Sequence, residues 1–451
     1  METTRNVPRR AGLVLAAAIA CWLTPRPASA GGFQLNEMAP RYLGTALAGM
    51  GSEAIDASVG YYNPAGLTRV KSGSLSATAA GVFLDTTVRA TEATTLDGHV
   101  NVTGNNGKMS AYGGKNAFIP AGQIAQRVSD DFVLYFGLTG PYGLITDYPD
   151  TGVTRYMATL SKVTTFNLNP AVAWSLGRWV PGLSIGAGFN AQYARARINR
   201  NVLFGAPPDL IAEIAGEDWA FGWNAGAMYE FNEHARVGVS WRSMVAHRFS
   251  GFVETWSTGS GASLFRGGAH ASAQFPNYLI ASGYWEPTPI GLPGLALMGE
   301  FGWTQWSQIQ RLPFEFSGVP LPNAEQVFNF TNAWRLSAGA AYKIDDAWTV
   351  RIGTGYDGSP VNNSNRTVNL PDARRILIGA GFSWMIEHGV SIDVGYLHLF
   401  VQDGSIDQTN TSVDHSRFVG TVSSQTNVIG AQFNWNWDEF PPRLPLVDRF
   451  F

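Results

Sequence analysis

One short pattern in this chain could carry catalytic chemistry. Residues 182–186 read GLSIG and fit the G-x-S-x-G pattern of serine hydrolases. That motif works only where a strand turns sharply into a helix and exposes the serine hydroxyl. Here Ser184 opens a stretch that alternates like a β-strand, so we expect no enzyme. No group of His, Cys, Asp and Glu has metal-ligand spacing, and the sequence predicts neither a metal site nor a cofactor.

The first thirty residues have the three parts of a secretory signal peptide. Basic Arg5, Arg9 and Arg10 precede an apolar run over 11–23, and the small residues of 28–30 follow. These features predict cleavage after residue 30 and a domain boundary there.

A lipoprotein is the alternative, with Cys21 as the lipidated residue. The apolar run continues past it through Trp22 and Leu23, which disfavours this alternative. Because Cys21 is the only cysteine, the mature chain would have crossed a membrane without gaining a disulfide, as expected for a bacterial envelope protein. Removing the leader leaves acidic residues in slight excess, which argues against a nucleic-acid partner.

The composition favours a β-barrel in the outer membrane. The chain holds 15 Trp, 26 Phe and 51 Gly with only 14% charged residues. Beyond the leader no run of about 18 apolar residues could form a transmembrane helix. An exported chain that is rich in Gly and aromatic residues and poor in charge is typical of outer-membrane barrels.

The mature chain alternates with a period of two. In residues 183–193 and 218–231 one face is Ala, Leu, Ile, Phe, Trp and Tyr, and the other is mostly Gly, Ser and Asn. A soluble sandwich would have a polar outer face and a large apolar inner face. Here the second face is too small to pack a core, so the apolar face is expected to contact lipid.

We count fourteen such segments, an even number that suits a barrel with both ends in the periplasm. Short connections alternate with long ones, as expected for periplasmic turns and extracellular loops. The predicted strands are 71–90, 117–128, 131–141, 162–176, 183–200, 218–231, 235–250, 269–285, 295–306, 331–343, 347–357, 374–386, 390–401 and 426–437.

Several motifs resemble the FadL family of outer-membrane transporters for long-chain fatty acids and other hydrophobic compounds. They are spread over most of the mature chain in the family's order. The motifs are GGFQLNE at 31–37, NPAGL at 63–67, GPYGLITDYPD at 140–150, FNLNPAVAW at 166–174, DDAWTVRIGTGYDGSPV at 345–361 and LPDARR at 370–375. The resemblance implies an all-β fold, a 14-stranded antiparallel transmembrane β-barrel with an N-terminal hatch inside the lumen.

Residues 31–70 are assigned to this hatch, 71–437 to the barrel and 438–451 to a C-terminal tail. The hatch stretch is rich in Gly and Ala and lacks strand alternation. By resemblance, Phe33, Asn63, Pro64 and Ala65 lie at the hatch and its constriction. Pro64 is also expected to force Asn63 into an extended conformation.

The family's third strand bends inward and opens a lateral gap in the barrel wall. The corresponding strand carries Gly137, Gly140 and Pro141, which weaken a β-ladder. Two apolar loops, 201–217 and 251–268, correspond to the family's outer substrate groove, and a short helix is expected after Pro207 and Pro208. The predicted groove residues are Leu203, Phe204, Leu210, Ile211, Ile214, Trp256, Leu264 and Phe265.

Three inward-facing arginines are candidates for binding a carboxylate headgroup. Strand parity directs Arg200, Arg335 and Arg351 toward the lumen. Each could equally pair with an acidic side chain there. The family's use of basic residues for the headgroup favours Arg200.

We therefore expect passive outer-membrane transport of hydrophobic small molecules by a monomer in contact with outer-membrane lipid and lipopolysaccharide. Each buried methylene of a cargo contributes about 0.8 kcal/mol, so capture needs no energy source. A general polar porin and a structural or receptor barrel are the alternatives. The sequence does not distinguish a fatty acid from an alkane or an aromatic cargo.

Overall fold

The computed structural model describes residues 32–96, 98–203, 209–387, 389–410 and 415–438. The predicted signal peptide, Phe204 and the predicted tail beyond Asp438 lie outside the described residues. Among the described residues, none of the helices has the length and apolar character needed to cross a membrane.

The barrel consists of fourteen antiparallel strands, three of which are interrupted. Their bounds are β1 Gly73–Thr95, β2 Ala117–Arg127, β3 Phe132–Thr139 and Gly143–Asp147, β4 Leu160–Ser175, β5 Leu183–Val202, β6 Leu210–Asn232, β7 Ala235–Arg242 and Val245–Ser257, β8 Ser263–Phe275 and Tyr278–Trp285, β9 Leu295–Thr304, β10 Ala333–Lys343, β11 Trp348–Asp357, β12 Arg375–Glu387, β13 Val390–Val401 and β14 Arg417–Trp437.

The first and last strands close the sheet. The β1–β14 ladder runs from Gly73 opposite Trp437 to Thr94 opposite Arg417, with one irregularity between Ala90 and Glu92. Closure leaves no free edge, which a sheet in lipid requires because water cannot satisfy its backbone groups. The predicted fourteen-strand antiparallel barrel is confirmed.

The alternation sorts the side chains as expected from the sequence. On β6, Trp219, Phe221 and Trp223 are exposed on the outer face, whereas Asn224 is buried. On β5, Phe189 is likewise exposed and its neighbours are not. The apolar face of the strands therefore lies outside, where the bilayer would contact it.

Connections at one end are short turns, and those at the other end are long and contain further structure. Because outer-membrane barrels have short periplasmic turns, the long-loop end is assigned to the extracellular side. Short strands at that end are Val100–Asn101, Ser110–Tyr112, Arg311–Ser317, Ala324–Val327 and Gly404–Thr409. Short helical turns outside the N-terminal region are Asn105–Gly107, Thr288–Ile290 and Trp306–Gln308.

Three strands are broken, of which the sequence analysis ended the third at residue 141 and treated the seventh and eighth as continuous. β3 stops at Thr139 and resumes at Gly143, β7 skips two residues after Arg242, and β8 skips two after Phe275. Pro141 and Pro276 fall in two of these breaks, and proline cannot donate to a ladder. Proline thus accounts for the interruptions of β3 and β8.

Residues 32–70, which we call the N-terminal segment, contain only short helical turns. These are the 3₁₀ turn Pro40–Leu43, the α-helical turn Val59–Tyr62 and the 3₁₀ turn Pro64–Arg69. Nearly all side chains from Met38 to Leu67 are buried. The segment supplies most of one apolar cluster together with residues of several strands, so its burial depends on the barrel.

Candidate functional site

The N-terminal segment approaches the wall most closely at glycines. A methyl group added at Gly353 of β11 would lie 2.1 Å from the carbonyl carbon of Thr45. Methyl groups at Gly379 of β12 and Gly395 of β13 would lie 2.1 and 2.0 Å from segment carbonyl oxygens. No larger residue fits at these positions, so the small inner face is where segment backbone packs against strand backbone.

A buried ion pair joins the segment to β13. Arg41 Nη2 lies 2.6 Å from Asp393 Oδ2 and 3.3 Å from Asp56 Oδ2. Asp393 also accepts a hydrogen bond from Asn434 Nδ2 at 2.7 Å and one from the Ser383 hydroxyl. Charges are tolerated in such a dry site only when paired and hydrogen-bonded.

Arg335 and Arg351, two predicted headgroup arginines, are bonded to carboxylates. Arg351 Nη2 donates to Glu53 of the segment at 3.0 Å, and Arg335 Nη2 donates to Glu300 of β9 at 2.6 Å. Glu300 in turn accepts from the Gly51 backbone N–H at 3.3 Å. Both arginines are buried, as the strand parity predicted, but neither lines the large cavity described below.

Asn63 is the most constrained of the predicted constriction residues. Its backbone is extended, with φ −148° and ψ 102°, as expected for a residue before Pro64. Its Oδ1 accepts from the Ala65 N–H at 3.1 Å and caps the following turn. Its Nδ2 donates to Gly51 O at 2.9 Å and to Ala227 O of β6 at 3.2 Å. Asn63 therefore joins two parts of the segment to the wall.

A cavity of about 530 Å³ opens toward the long-loop end. Its apolar lining includes Phe249, Phe275 and Leu370, and its polar lining includes Arg200 and Asn369. Arg200 Nη1 donates to Tyr156 O at 3.4 Å. Arg200 lines the cavity, which combines an apolar surface with a cationic group.

Four aromatic rings from different parts of the chain form a cluster beside this cavity. Phe33 of the segment lies with its ring centroid 4.8 Å from that of Trp306, 5.4 Å from Phe275 and 5.8 Å from Tyr142. Phe33 and Phe275 line the cavity, whereas Tyr142 and Trp306 lie behind them. Among the described residues of the N-terminal segment, Phe33 is the one that lines the cavity.

The broken part of β3 is bonded to the N-terminal segment. Leu35 N donates to Pro141 O and Gly143 N donates to Phe33 O, each at 2.9 Å. The ladder between β2 and β3 ends at the pair Gly122 and Leu138. Residues 117–121 of β2 pair with β1 and have no ladder pairing with β3 in the described chain.

The predicted third-strand residues lie on both sides of this point. Gly137 pairs with Asn169 of β4 inside the regular ladder. Gly140 and Pro141 lie in the break itself. Two of the three predicted residues thus lie in the break, and the sequence did not predict that the chain resumes as a strand at Gly143.

The predicted outer groove is not assembled as expected. Residues from Leu210 onward are strand, not a helix after Pro207 and Pro208, and those two prolines lie outside the described residues. Most of 251–268 likewise forms β7 and β8. A helix would have grouped these apolar residues, whereas strand alternation separates them. Ile214 lines the cavity. The predicted groove residues that do not line it are Leu203, Leu210, Ile211, Trp256, Leu264 and Phe265.

The sequence analysis missed Tyr142, Phe275 and Trp306. Tyr142 stands between Pro141 and Gly143, and Phe275 precedes Pro276, so the available signal was an aromatic residue beside a strand-breaking proline. Asp372, in the loop before β12, was also missed. Burial raises the pKa of Asp372, which accepts from Gly32 N at 3.0 Å.

No group of three or more His, Cys, Asp and Glu side chains is arranged to hold a metal ion among the described residues. Ser184 Oγ is bonded to Thr68 Oγ1 at 2.8 Å and lies in β5. The strand-to-helix elbow that a G-x-S-x-G nucleophile requires is therefore not formed there.

A closed fourteen-strand barrel with an apolar outer face, a largely apolar cavity and a bonded N-terminal segment defines a class of outer-membrane β-barrel proteins different from open porins. Comparison identifies the family. The chain belongs to the outer membrane protein transport protein family (OMPP1/FadL/TodX), whose model matches residues 22–437. The resemblance seen in the motifs is confirmed, and the protein is an outer-membrane transporter.

Known relatives agree with this assignment. A long-chain fatty acid transport protein of Escherichia coli is 31% identical over 417 residues, covering 85% of this chain and 90% of the relative. The crystal structure of a Pseudomonas aeruginosa FadL homologue matches with a TM-score of 0.80 at 19% identity, covering 90% of this chain and 100% of that one. The Ralstonia pickettii toluene transporter TbuX matches with a TM-score of 0.62 at 16% identity, covering 88% and 98%.

Proposed function

We propose that this protein carries hydrophobic small molecules passively across the outer membrane. Cargo binds first in the cavity at the long-loop end. The N-terminal segment then moves as a hatch, and the cargo leaves sideways between β2 and β3. The observation that carries the proposal is the cavity of about 530 Å³, which has a largely apolar lining that includes Phe33 of that segment.

The cavity chemistry supports an apolar cargo. Phe249, Phe275 and Leu370 offer apolar surface, and each methylene of an alkyl chain buried against it contributes about 0.8 kcal/mol. Arg200 supplies a cation for the carboxylate of a fatty acid. An aromatic hydrocarbon would use only the apolar part. The names of the relatives include both a fatty acid transporter and a toluene transporter, so both classes are tested below.

The hatch role is supported by the bonding pattern of the segment. Arg41, Glu53 and Asn63 attach it to β13, β11 and β6, so it occupies space that a polar porin leaves open. The ladder that ends at Gly122 and Leu138 supports the lateral route, because unpaired strand residues are the weakest part of a barrel wall.

Equilibrium binding tests the cargo. Purified protein in mild detergent is titrated with a fluorescent fatty acid, and oleate and toluene are used as competitors. We expect saturable binding displaced by oleate. Arg200→Gln is expected to weaken oleate but not toluene, because only oleate carries a carboxylate. A protein that binds neither competitor would contradict the proposal, and fast swelling of sugar-loaded liposomes would indicate a polar porin.

A disulfide tests movement of the hatch. Ser52 Oγ of the segment lies 2.8 Å from Ser282 Oγ of β8. The mature chain has no cysteine, so the double variant Ser52→Cys, Ser282→Cys can form only this bridge. Oxidation should stop fatty acid uptake by cells and reduction should restore it. Uptake that continues under oxidation would show that this part of the segment does not move.

A further inference from the structure

Tyr142 occupies the break in β3 and takes the place of the missing ladder bonds. Its backbone N donates to Thr165 Oγ1 at 2.9 Å, and the Thr165 hydroxyl donates to Tyr142 O at 2.7 Å. Gln34 of the N-terminal segment forms an isolated antiparallel bridge with Tyr142. The residue is therefore bonded to both β4 and the segment.

The hydroxyl of Tyr142 reaches a second break in the wall. Tyr142 OH donates to Pro276 O, in the interruption of β8, at 3.0 Å. The side chain is 3% exposed, so water does not replace this bond when it is broken. Pro141 lies in the break of β3 and Pro276 in the break of β8. Neither strand therefore has a full set of backbone hydrogen bonds where Tyr142 contacts Pro276.

The ring of Tyr142 contacts the rings that face the cavity. Its centroid lies 4.9 Å from that of Phe275 and 5.8 Å from that of Phe33. Those two rings line the cavity and Tyr142 does not. A cargo that displaces Phe275 or Phe33 must therefore disturb the packing of Tyr142, although it does not touch Tyr142 directly.

We propose that Tyr142 is the positioning residue that couples occupancy of the cavity to opening of the wall beside β3. With the cavity empty, the hydroxyl bond to Pro276 holds the broken part of β3 across the lumen. When cargo moves Phe275 and Phe33, that bond is lost and β3 is free to move away from β8. The proposal rests on the proposed function and adds the residue by which the binding site controls the exit.

The test uses a single reporter cysteine in the full-length protein. Thr139 is buried at the end of the first part of β3, and the only native cysteine of the sequence is Cys21, within the predicted signal peptide. In Thr139→Cys, the rate of labelling by a small water-soluble thiol reagent reports movement of β3. It is measured with and without oleate.

A matched pair of variants isolates the hydroxyl. Tyr142→Phe removes the bond to Pro276, whereas Tyr148→Phe removes a comparable bond from a buried hydroxyl to Val368 O, at 3.2 Å, away from the breaks. We expect oleate to speed labelling in the parent and in Tyr148→Phe. In Tyr142→Phe, labelling without oleate should rise about two- to tenfold, the range for one neutral hydrogen bond, and oleate should add little.

Two results would overturn the assignment. One is that Tyr142→Phe is labelled at the same rate as the parent, both with and without oleate. The other is an equal rise in Tyr148→Phe, which would indicate general loosening of the fold. If no cargo binds to any variant, the proposed function fails, yet the labelling rate without oleate still decides whether Tyr142 holds β3.

Discussion

At the scale of single residues, the charges inside the barrel act between the N-terminal segment and the wall. Asp393 is fully buried and accepts hydrogen bonds from Arg41, Asn434 and Ser383. Removing one partner of a buried pair costs about 3 to 5 kcal/mol when the other charge is left alone, and less here because Arg41 also lies 3.3 Å from Asp56. Asp393 therefore holds the segment against β13 more strongly than an exposed ion pair would.

Asp393→Asn should loosen the segment and raise single-channel conductance in planar bilayers, with a lower thermal unfolding temperature in detergent. Asp346→Asn is the control, because Asp346 pairs with Lys343 in an exposed turn and should leave both quantities unchanged. A variant of Asp393 with parental conductance and unfolding temperature would show that the buried pair does not hold the segment.

At the scale of elements, β11 to β13 are adapted to a neighbour that has only short helical turns. Their inner glycines let segment backbone approach strand backbone at Gly353, Gly379 and Gly395. The same strands keep large apolar residues such as Ile352 on the outer face. In these strands the alternating pattern therefore places large apolar residues toward lipid and glycines toward the segment.

Gly353→Ala should displace the segment at Thr45, because the added methyl group meets rigid backbone. Overpacking of this kind costs about 1–3 kcal/mol. We expect a lower unfolding temperature and higher conductance. Gly299→Ala in β9 is the matched control, since nothing lies within 4 Å of the added methyl group. Equal effects of the two substitutions would indicate a loss of strand flexibility instead of a steric conflict.

At the scale of the whole molecule, barrel and N-terminal segment are held by separate interactions. The β1–β14 ladder closes the wall along most of both strands without using the segment. The segment itself has only short helical turns and is buried by the wall. The barrel is thus expected to fold without the segment, but the segment should not fold without the barrel.

Replacing residues 36–62 with a flexible Gly/Ser linker should leave a folded barrel with an open lumen. We expect retained β-sheet circular dichroism and heat-modifiable gel mobility, with conductance rising from background to that of an open porin. A folded variant that stays closed would mean that the extracellular loops, and not the segment, block the pore.

Much of the architecture could be predicted from sequence, because lipid imposes a strict pattern. Apolar residues facing lipid and small or polar residues facing the lumen alternate along each strand, so β5 and β6 were identified with nearly correct bounds at their periplasmic ends. Alternation says less about the extracellular ends, where water contacts both faces. That is why β6 extends back to Leu210 through a predicted loop, and why the groove residues are dispersed.

The sequence by itself determined the strand number and the extended conformation of Asn63 before Pro64. Only the tertiary structure decided which partners the three candidate arginines meet. Arg335 and Arg351 carry the same local pattern as Arg200, yet they are bonded to Glu300 and Glu53 while Arg200 lines the cavity. The contact of Tyr142 with Pro276 likewise spans 134 residues of sequence. Local periodicity specifies a face of a strand, whereas such contacts depend on the curvature and closure of the whole sheet.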